Sequence, residues 1–441
     1  MDKKIFNRLK DSGKGIAGLF SRSIPSIYRQ DIAVKRIIYK WLLIGILIRL
    51  FFMPIALHTD LLYVYGRSSL ITYKETIHWG GQILIHYIHA FFLLIFKPLM
   101  PYFIEVFDYQ PDQIISWRLF NDFVTHPQVF RTLFLFKVPY LIFDLGCAFL
   151  FLWILKDYKK GLGAFKFWMI NPVVIFATYI FARYEAVAIF FILLSLYYAR
   201  KSFSKRSLFC LGIGAATRIY PIIMLPFFII ILGRNVWQRL KLAFWGFLPL
   251  GIVTLLARLF QQTGELEKLA KVPHADFFLA MQFPLRFLYD RMYVFVVIYI
   301  VLFLYTYFNT DHSFKNLWKS ILVLLLAFFA TCFFHPQYFM WLIPFLALVV
   351  VEDRRFVGLF AIQVIFFIVY TFQWKQWLAG YLFMPIDAFY FASLRSPFQI
   401  INQYYPADKF IGIFRSMFTG ISLWMGYLVF KQVYERKMRR R

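Results

Sequence analysis

Apolar residues come along this chain in runs long enough to cross a bilayer. Between them lie short polar breaks, without the strict alternation of strands. The runs fall at 38–57, 132–155, 166–182, 185–200, 207–217, 221–233, 242–260, 292–309, 319–334, 337–351, 356–374 and 414–431. They predict an all-α polytopic membrane protein with about twelve transmembrane helices. Inside 207–233, the break Thr217-Arg218-Ile219-Tyr220-Pro221 reads either as a tight turn between two short spans or as a kink in one helix. The stretch 58–131 does not divide into paired spans and reads as a long first external loop. Within it, residues 82–104 are apolar but interrupted by His86, His89, Lys97 and Pro98, which predicts an interfacial or re-entrant helix. Two further loops, 261–291 and 375–413, complete that face, and no repeat of fixed period, low-complexity tract or separate soluble domain is evident.

Composition sharpens this picture. Of 441 residues 61% are apolar and 57 are Phe, with a mean hydropathy of +0.64, which rules out a disordered chain and a set of ordinary soluble domains. Cys147, Cys210 and Cys332 all sit in apolar runs, so neither a disulfide framework nor a Cys-based metal site is suggested.

The net charge of +27 is, in so apolar a chain, first a statement about topology. Ten Lys/Arg fall within residues 1–40, and others cluster at 156–160, 200–206, 234–241, 315–319, 354–355 and 431–441. With twelve spans and both termini inside, all these segments lie on the cytoplasmic side, as short basic loops should. Making 82–104 a span would put Glu105, Asp108, Asp112 and Asp122 on that side and invert every later basic loop. No DNA- or RNA-binding motif accompanies the charge, so no nucleic-acid partner is expected. The first run ends without a small-residue cleavage site and reads as an uncleaved anchor. The chain thus divides into a basic cytoplasmic segment 1–36 resting on membrane lipids, a transmembrane module 37–351, C-terminal helices 352–431 and a basic tail 432–441.

Four polar clusters converge on the external face: His58-Thr59-Asp60, Ala182-Arg183-Tyr184-Glu185, the 217–221 break, and His335-Pro336-Gln337-Tyr338. Ionisable residues at such depth are costly and tend to mark sites. Each also has a structural reading. Asp60 can cap a helix, Arg183 and Glu185 can be the polar tip of a hairpin, and Arg218 must find an anion, snorkel, or pair with Glu185. His335, Gln337 and Tyr338 can be part of an interfacial belt. The deeper Arg49, Lys137 and Asp144 read as a buried structural pair, with Lys137 and Asp144, seven apart, on one helix face. Chemically, a carboxylate at a membrane surface can act as general base on a sugar or lipid hydroxyl, and fixed guanidiniums can neutralise a departing phosphate. No HExxH, Walker loop or nucleophile elbow is present. With no nucleotide motif for the inside and chemistry outside, an activated donor has to be lipid-linked.

The order of these motifs resembles the GT-C superfamily of polyprenyl-phosphate-sugar-dependent membrane glycosyltransferases, mannosyltransferase-like branch, over most of the chain to about residue 351. The run beginning Asp60-Leu61-Leu62-Tyr63 matches that family's acid after the first span, and 82–104 its interfacial helix. Residues 136–145 resemble its second span. Asn171-Pro172 with Arg183-Tyr184-Glu185, Arg218-Ile219-Tyr220-Pro221, and His335-Pro336-Gln337-Tyr338 resemble its later motifs. Glu185 stands where Asp is commoner, Ala182 where Gly is, and Asp60 where some members carry two acids.

The resemblance implies an inverting transfer of a hexose, mannose by preference, from a polyprenyl-phosphate donor to a lipid or glycan acceptor at the outer face of the plasma (inner) membrane. It implies Asp60 as base, Arg218 and Arg183 on the donor phosphate, and His58, Glu185, Tyr220, His335, Gln337 and Tyr338 around the sugar and acceptor, with no metal or cofactor. The competing reading is a multi-pass transporter or lipid-linked-sugar flippase, which would carry its polar residues at the membrane midplane and often two related halves.

Overall fold

The computed structural model describes residues 24–29, 31–74, 83–107, 115–260, 278–284, 290–309 and 311–438. Residues 1–23 of the basic N-terminal segment and most of the 261–291 loop lie outside them. The chain is helical, as expected. Its principal helices are α1 (Ile32–Phe52), α2 (Thr59–Tyr73), α3 (Ile83–Phe96), α4 (Val129–Ile154), α5 (Tyr158–Met169), α6 (Glu185–Arg200), α7 (Ser204–Thr217), α8 (Leu225–Leu232), α9 (Val236–Phe260), α10 (Val294–Phe308), α11 (Phe314–Thr331), α12 (Ile343–Val350), α13 (Arg355–Thr371) and α14 (Ala407–Met438). A short antiparallel pair, β1 (Gln282–Pro284) and β2 (Arg291–Tyr293), precedes α10.

A helix forms at each apolar run, but only some are bilayer-length. Val129–Ile154, Val236–Leu256, Phe314–Thr331, Arg355–Leu378 and Ala407–Gln432 are long and apolar enough to span. A sixth arises if Tyr158–Met169 and Pro172–Ile180, bent by 43° at their junction, count as one. This is compatible with a multi-pass membrane protein, and it falls short of twelve full spans. Helix α1 has the length, at 21 residues, but carries Lys35, Arg36, Lys40 and Arg49, and several of the others are short pieces between breaks in the run. At 16 residues α6 reaches about 24 Å, and at 8 residues α8 about 12 Å. The third run also starts earlier than expected, at Tyr158. It breaks after Met169, where the Asn171 side chain accepts from the Val173 N–H at 3.0 Å and Pro172 opens the next turn.

The ambiguous 207–233 segment is a hairpin. Arg218 ends α7 in extended conformation (φ −151°, ψ 124°), and Ser204 and Lys205 at the start of α7 line the same cavity as Leu232 and Arg234 at the end of α8. The chain therefore climbs, turns, and returns to its starting end. That end also gathers the other basic segments. Lys315 and Lys319 pair with Glu352, Lys319 donates to Gln432, and Tyr28 donates to the Leu155 carbonyl.

Two hydrophobic cores result. The larger fills the bundle, with Trp168, Phe227, Leu325 and Phe339 among its members. The second belongs to the 58–131 segment. Leu61, Tyr65, Leu93, Phe103, Phe120 and Phe136 pack together with Tyr184 and Met384, so the expected loop is a folded platform. Helix α3 lies on this platform and against α7 and α9, leaving Phe91, Leu94 and Ile95 exposed on its outer side.

The expected buried pair is assembled differently. Asp144 takes Arg49 Nε at 2.5 Å, Trp168 Nε1 at 2.6 Å and Tyr179 OH at 2.6 Å. Lys137 donates instead to the backbone carbonyls of Phe52, Ala56 and Tyr179. The end of α1 leaves carbonyls without intrahelical donors, and a buried ammonium satisfies them as well as a carboxylate would satisfy it. Asp144→Ala leaves Arg49 uncompensated in the core, and should cost about 3–5 kcal/mol. Thermal unfolding in detergent should show that loss, and the Arg49→Met, Asp144→Leu double variant should recover part of it.

Candidate functional site

At the end of the bundle away from the basic segments, helix breaks bring the predicted polar clusters into contact. His58 caps α2, its Nδ1 accepting from the Asp60 N–H at 3.2 Å. The segment before it is pinned by Leu57 N–H to the Leu382 carbonyl and by His58 N–H to the Phe181 carbonyl. The His58 ring stacks on Phe181 at 4.1 Å, with Trp377 edge-on at 6.2 Å.

Between the third and fourth apolar runs the chain reverses at Ala182, which has φ +64° and is fully buried. This left-handed conformation strains any residue with a Cβ. It holds Arg183 over Asp60, with Nη1 3.3 Å from Oδ2 and donating to the Asp60 carbonyl at 3.0 Å. The Asp60 side chain keeps 28% of its surface exposed and Arg183 keeps 15%. Burial alone would raise the Asp60 pKa, but Arg183 and His58 beside it hold the carboxyl well below the usual carboxylate range.

A second pair lies deeper. Glu185, the first residue of α6, sits 3.1 Å from Arg218 Nη2 and accepts from Trp341 Nε1 at 2.6 Å. Arg218 Nη1 donates to the Tyr184 hydroxyl at 2.8 Å. The Tyr184 ring is flanked by both guanidiniums, Arg183 at 4.6 Å and Arg218 at 5.3 Å, so it bridges the outer pair and the inner one. Tyr220, Trp341 and Tyr338 form a three-ring stack with spacings of 3.8 and 4.3 Å. Arg218 lies 4.8 Å from the Tyr338 ring, and His335 sits edge-on to Tyr338 at 5.5 Å and 6.0 Å from Trp374. Gln337 is buried, and its Oε1 and the Tyr220 hydroxyl have no hydrogen-bond partner among the described residues.

The structure thus joins His58, Asp60, Arg183, Glu185, Arg218, Tyr220, His335 and Tyr338 through direct or shared contacts, with Gln337 adjacent to Tyr338. It gives Arg218 the Glu185 pair that the sequence left as one of its options. It adds Tyr184, Trp341, Trp374 and Trp377, which sequence reasoning missed. Tyr184 lies inside one of the motifs singled out, and Trp341 stands three residues past the end of another. Trp377 had no signal, because its approach to His58 joins residues more than three hundred apart. Among the described residues no group of three or more His, Cys, Asp or Glu is placed to hold a metal. Comparison with protein-family models, with curated proteins and with solved structures finds no match for this chain.

The site contains a polarised carboxylate, two guanidiniums shared between carboxylates and an aromatic wall with spare hydrogen-bonding groups. Such a set suits a ligand that is both anionic and hydroxyl-rich. Two predictions follow from its local physics. Ala182→Gly relieves the left-handed strain and should hold or raise stability by up to about 1 kcal/mol, whereas Ala182→Val should lower the melting temperature. Because the folded-state pKa of Asp60 is depressed, its pairing is present above the ordinary carboxylate pKa and lost only as pH falls through the lower folded value. No acid limb from Asp60 should therefore appear in a pH profile of stability between pH 5 and 8, in the wild type or in Asp60→Asn.

Proposed function

We propose that the chain is an integral membrane glycosyltransferase of the GT-C type, moving a hexose from a polyprenyl-phosphate donor to the hydroxyl of a lipid or glycan acceptor with inversion. In this reading the Asp60 end faces outward from a plasma (inner) membrane, and mannose is the first donor sugar to test. What supports it is one observation: a partly exposed carboxylate stands 3.3 Å from a guanidinium that is linked through one tyrosine ring to a second.

The acceptor hydroxyl gives its proton to the Asp60 carboxylate as its oxygen bonds to the anomeric carbon. The bond from that carbon to the donor phosphate breaks, and the electron pair leaves with the phosphate oxygen. The transition state is oxocarbenium-like, as in glycoside hydrolysis. Arg183 and Arg218 then take up the phosphate charge, and the Tyr220-Trp341-Tyr338 stack with Gln337 and His335 holds the sugar. Glu185 orients Arg218. A carboxylate clamped by a guanidinium is a poor base, since even an unperturbed Asp has a pKa of about 3.9. A donor phosphate competing for Arg183 loosens that clamp and raises the basicity of Asp60 only when donor is present. Positioning supplies the remainder of the rate.

Membranes expressing the wild type should transfer radiolabelled mannose from polyprenyl-phosphate-mannose into lipid or glycan. Asp60→Asn should reduce that transfer by at least about a hundredfold. Near-normal transfer by the variant would remove Asp60 from the chemistry. Arg218→Lys keeps a charge opposite Glu185 but loses the two-pronged geometry, and should raise the donor KM by about tenfold with a smaller change in kcat.

A further inference from the structure

Two cavities adjoin at the other end of the bundle, far from Asp60. One is an apolar cleft of about 780 Å3 between α6, α7 and α9, walled by Phe191, Leu194, Ile213 and Trp245. The other, of about 580 Å3, is lined by Arg200, Lys205, Arg234 and Lys241 together with His312 and Gln238. Ser202, Ser204 and Lys205 line both, so the apolar cleft and the cationic chamber lie side by side across these residues. Among the described residues no Asp or Glu lines either cavity. Arg200 is stacked on Phe314 at 5.2 Å, and its Nε is buried without a hydrogen-bond partner. The turn between α6 and α7 that carries the shared wall contains Ser202 at φ +64°.

We propose that the two cavities form one binding site for an anionic phospholipid. Its phosphate headgroup sits among Arg200, Lys205, Arg234 and Lys241, and an acyl chain lies along Phe191, Leu194, Ile213 and Trp245. The charge and the shape argue for this occupant together. Four cations without a lining carboxylate hold a poorly compensated positive potential that a phosphate relieves. A neutral lipid would leave it standing, and a soluble anion would leave the apolar cleft unused. The surrounding faces of α9 present Phe244, Phe247 and Leu240 outward, which suits a cleft entered from lipid. The site uses the ends of α6 and α7 opposite to Glu185 and Arg218, and none of its lining residues is one assigned to the glycosyltransferase chemistry, so it does not depend on that reading.

Native mass spectrometry of the full chain in neutral detergent, titrated with dioleoyl phosphatidylglycerol or dioleoyl phosphatidylcholine, tests the site. Phosphatidylglycerol should be retained at least tenfold more tightly. The exposed pair Lys205→Ala with Arg234→Ala should weaken it by roughly fivefold per charge removed, and Ile213→Trp, which fills the cleft, should weaken it independently. Equal retention of the two lipids by the wild type would overturn the proposal, as would unchanged retention in both variants with normal elution profiles. Displacement of the lipid by millimolar glycerol phosphate, with no effect of Ile213→Trp, would make the chamber a soluble-anion site and overturn it as well.

Discussion

A charge inside an apolar helical bundle has to be met by another charge or by a full set of hydrogen bonds, and the architecture of this protein follows from how each is met. Arg49 and Asp144 close on each other with Trp168 and Tyr179 completing the carboxylate, while Lys137 is spent on backbone carbonyls. These contacts tie α1, α4 and the broken third segment together at mid-bundle. They fix these three segments to one another, and the Asp60 end is carried by two of the same segments. At that face the same rule operates with one difference. Asp60 pairs with Arg183 and Glu185 with Arg218, the two guanidiniums flank one tyrosine ring, and only the Asp60 pair is partly exposed.

The second consequence is that helices had to be broken to bring these groups together. An unbroken helix sends successive charges around its circumference, whereas the breaks at Asn171-Pro172, at Ala182, at Arg218 and at His335-Pro336 turn four chain segments toward one place. The left-handed Ala182 shows that this arrangement costs something locally, since the fold holds a residue with a Cβ where glycine is comfortable. Lys375, at φ 51° in the 375–413 segment beside Trp374 and Trp377, is a second strained position near the same face. Such strain persists only where surrounding packing over-determines it, and here the second hydrophobic core beneath 58–131 supplies that packing.

The length of the apolar runs made the helices legible. Arg218 and Glu185 could be named as a possible pair from their depth alone, because neither can be left alone in lipid. Other features were out of reach for definite reasons. Run length does not say whether a helix crosses fully or stops at a proline, so α6, α7 and α8 were counted as spans. Lys137 and Asp144 lie seven apart and share a face, yet partner choice depended on Arg49 arriving from α1 and on the carbonyls exposed by its end. The folded state of 58–131 was hidden because its core is built from scattered aromatics whose partners, Tyr184 and Met384, come from distant segments.

The proposed transfer turns on competition for one guanidinium. In that proposal Arg183 cannot clamp Asp60 and hold a donor phosphate at full strength together, so neutralising the carboxylate should free it. The affinity of purified Asp60→Asn for polyprenyl-phosphate-mannose, measured at equilibrium against the wild type, reads this directly. Equal or tighter donor binding by the variant is expected. Clearly weaker binding would contradict it, because Asp60 would then be helping to hold the donor and not competing with it.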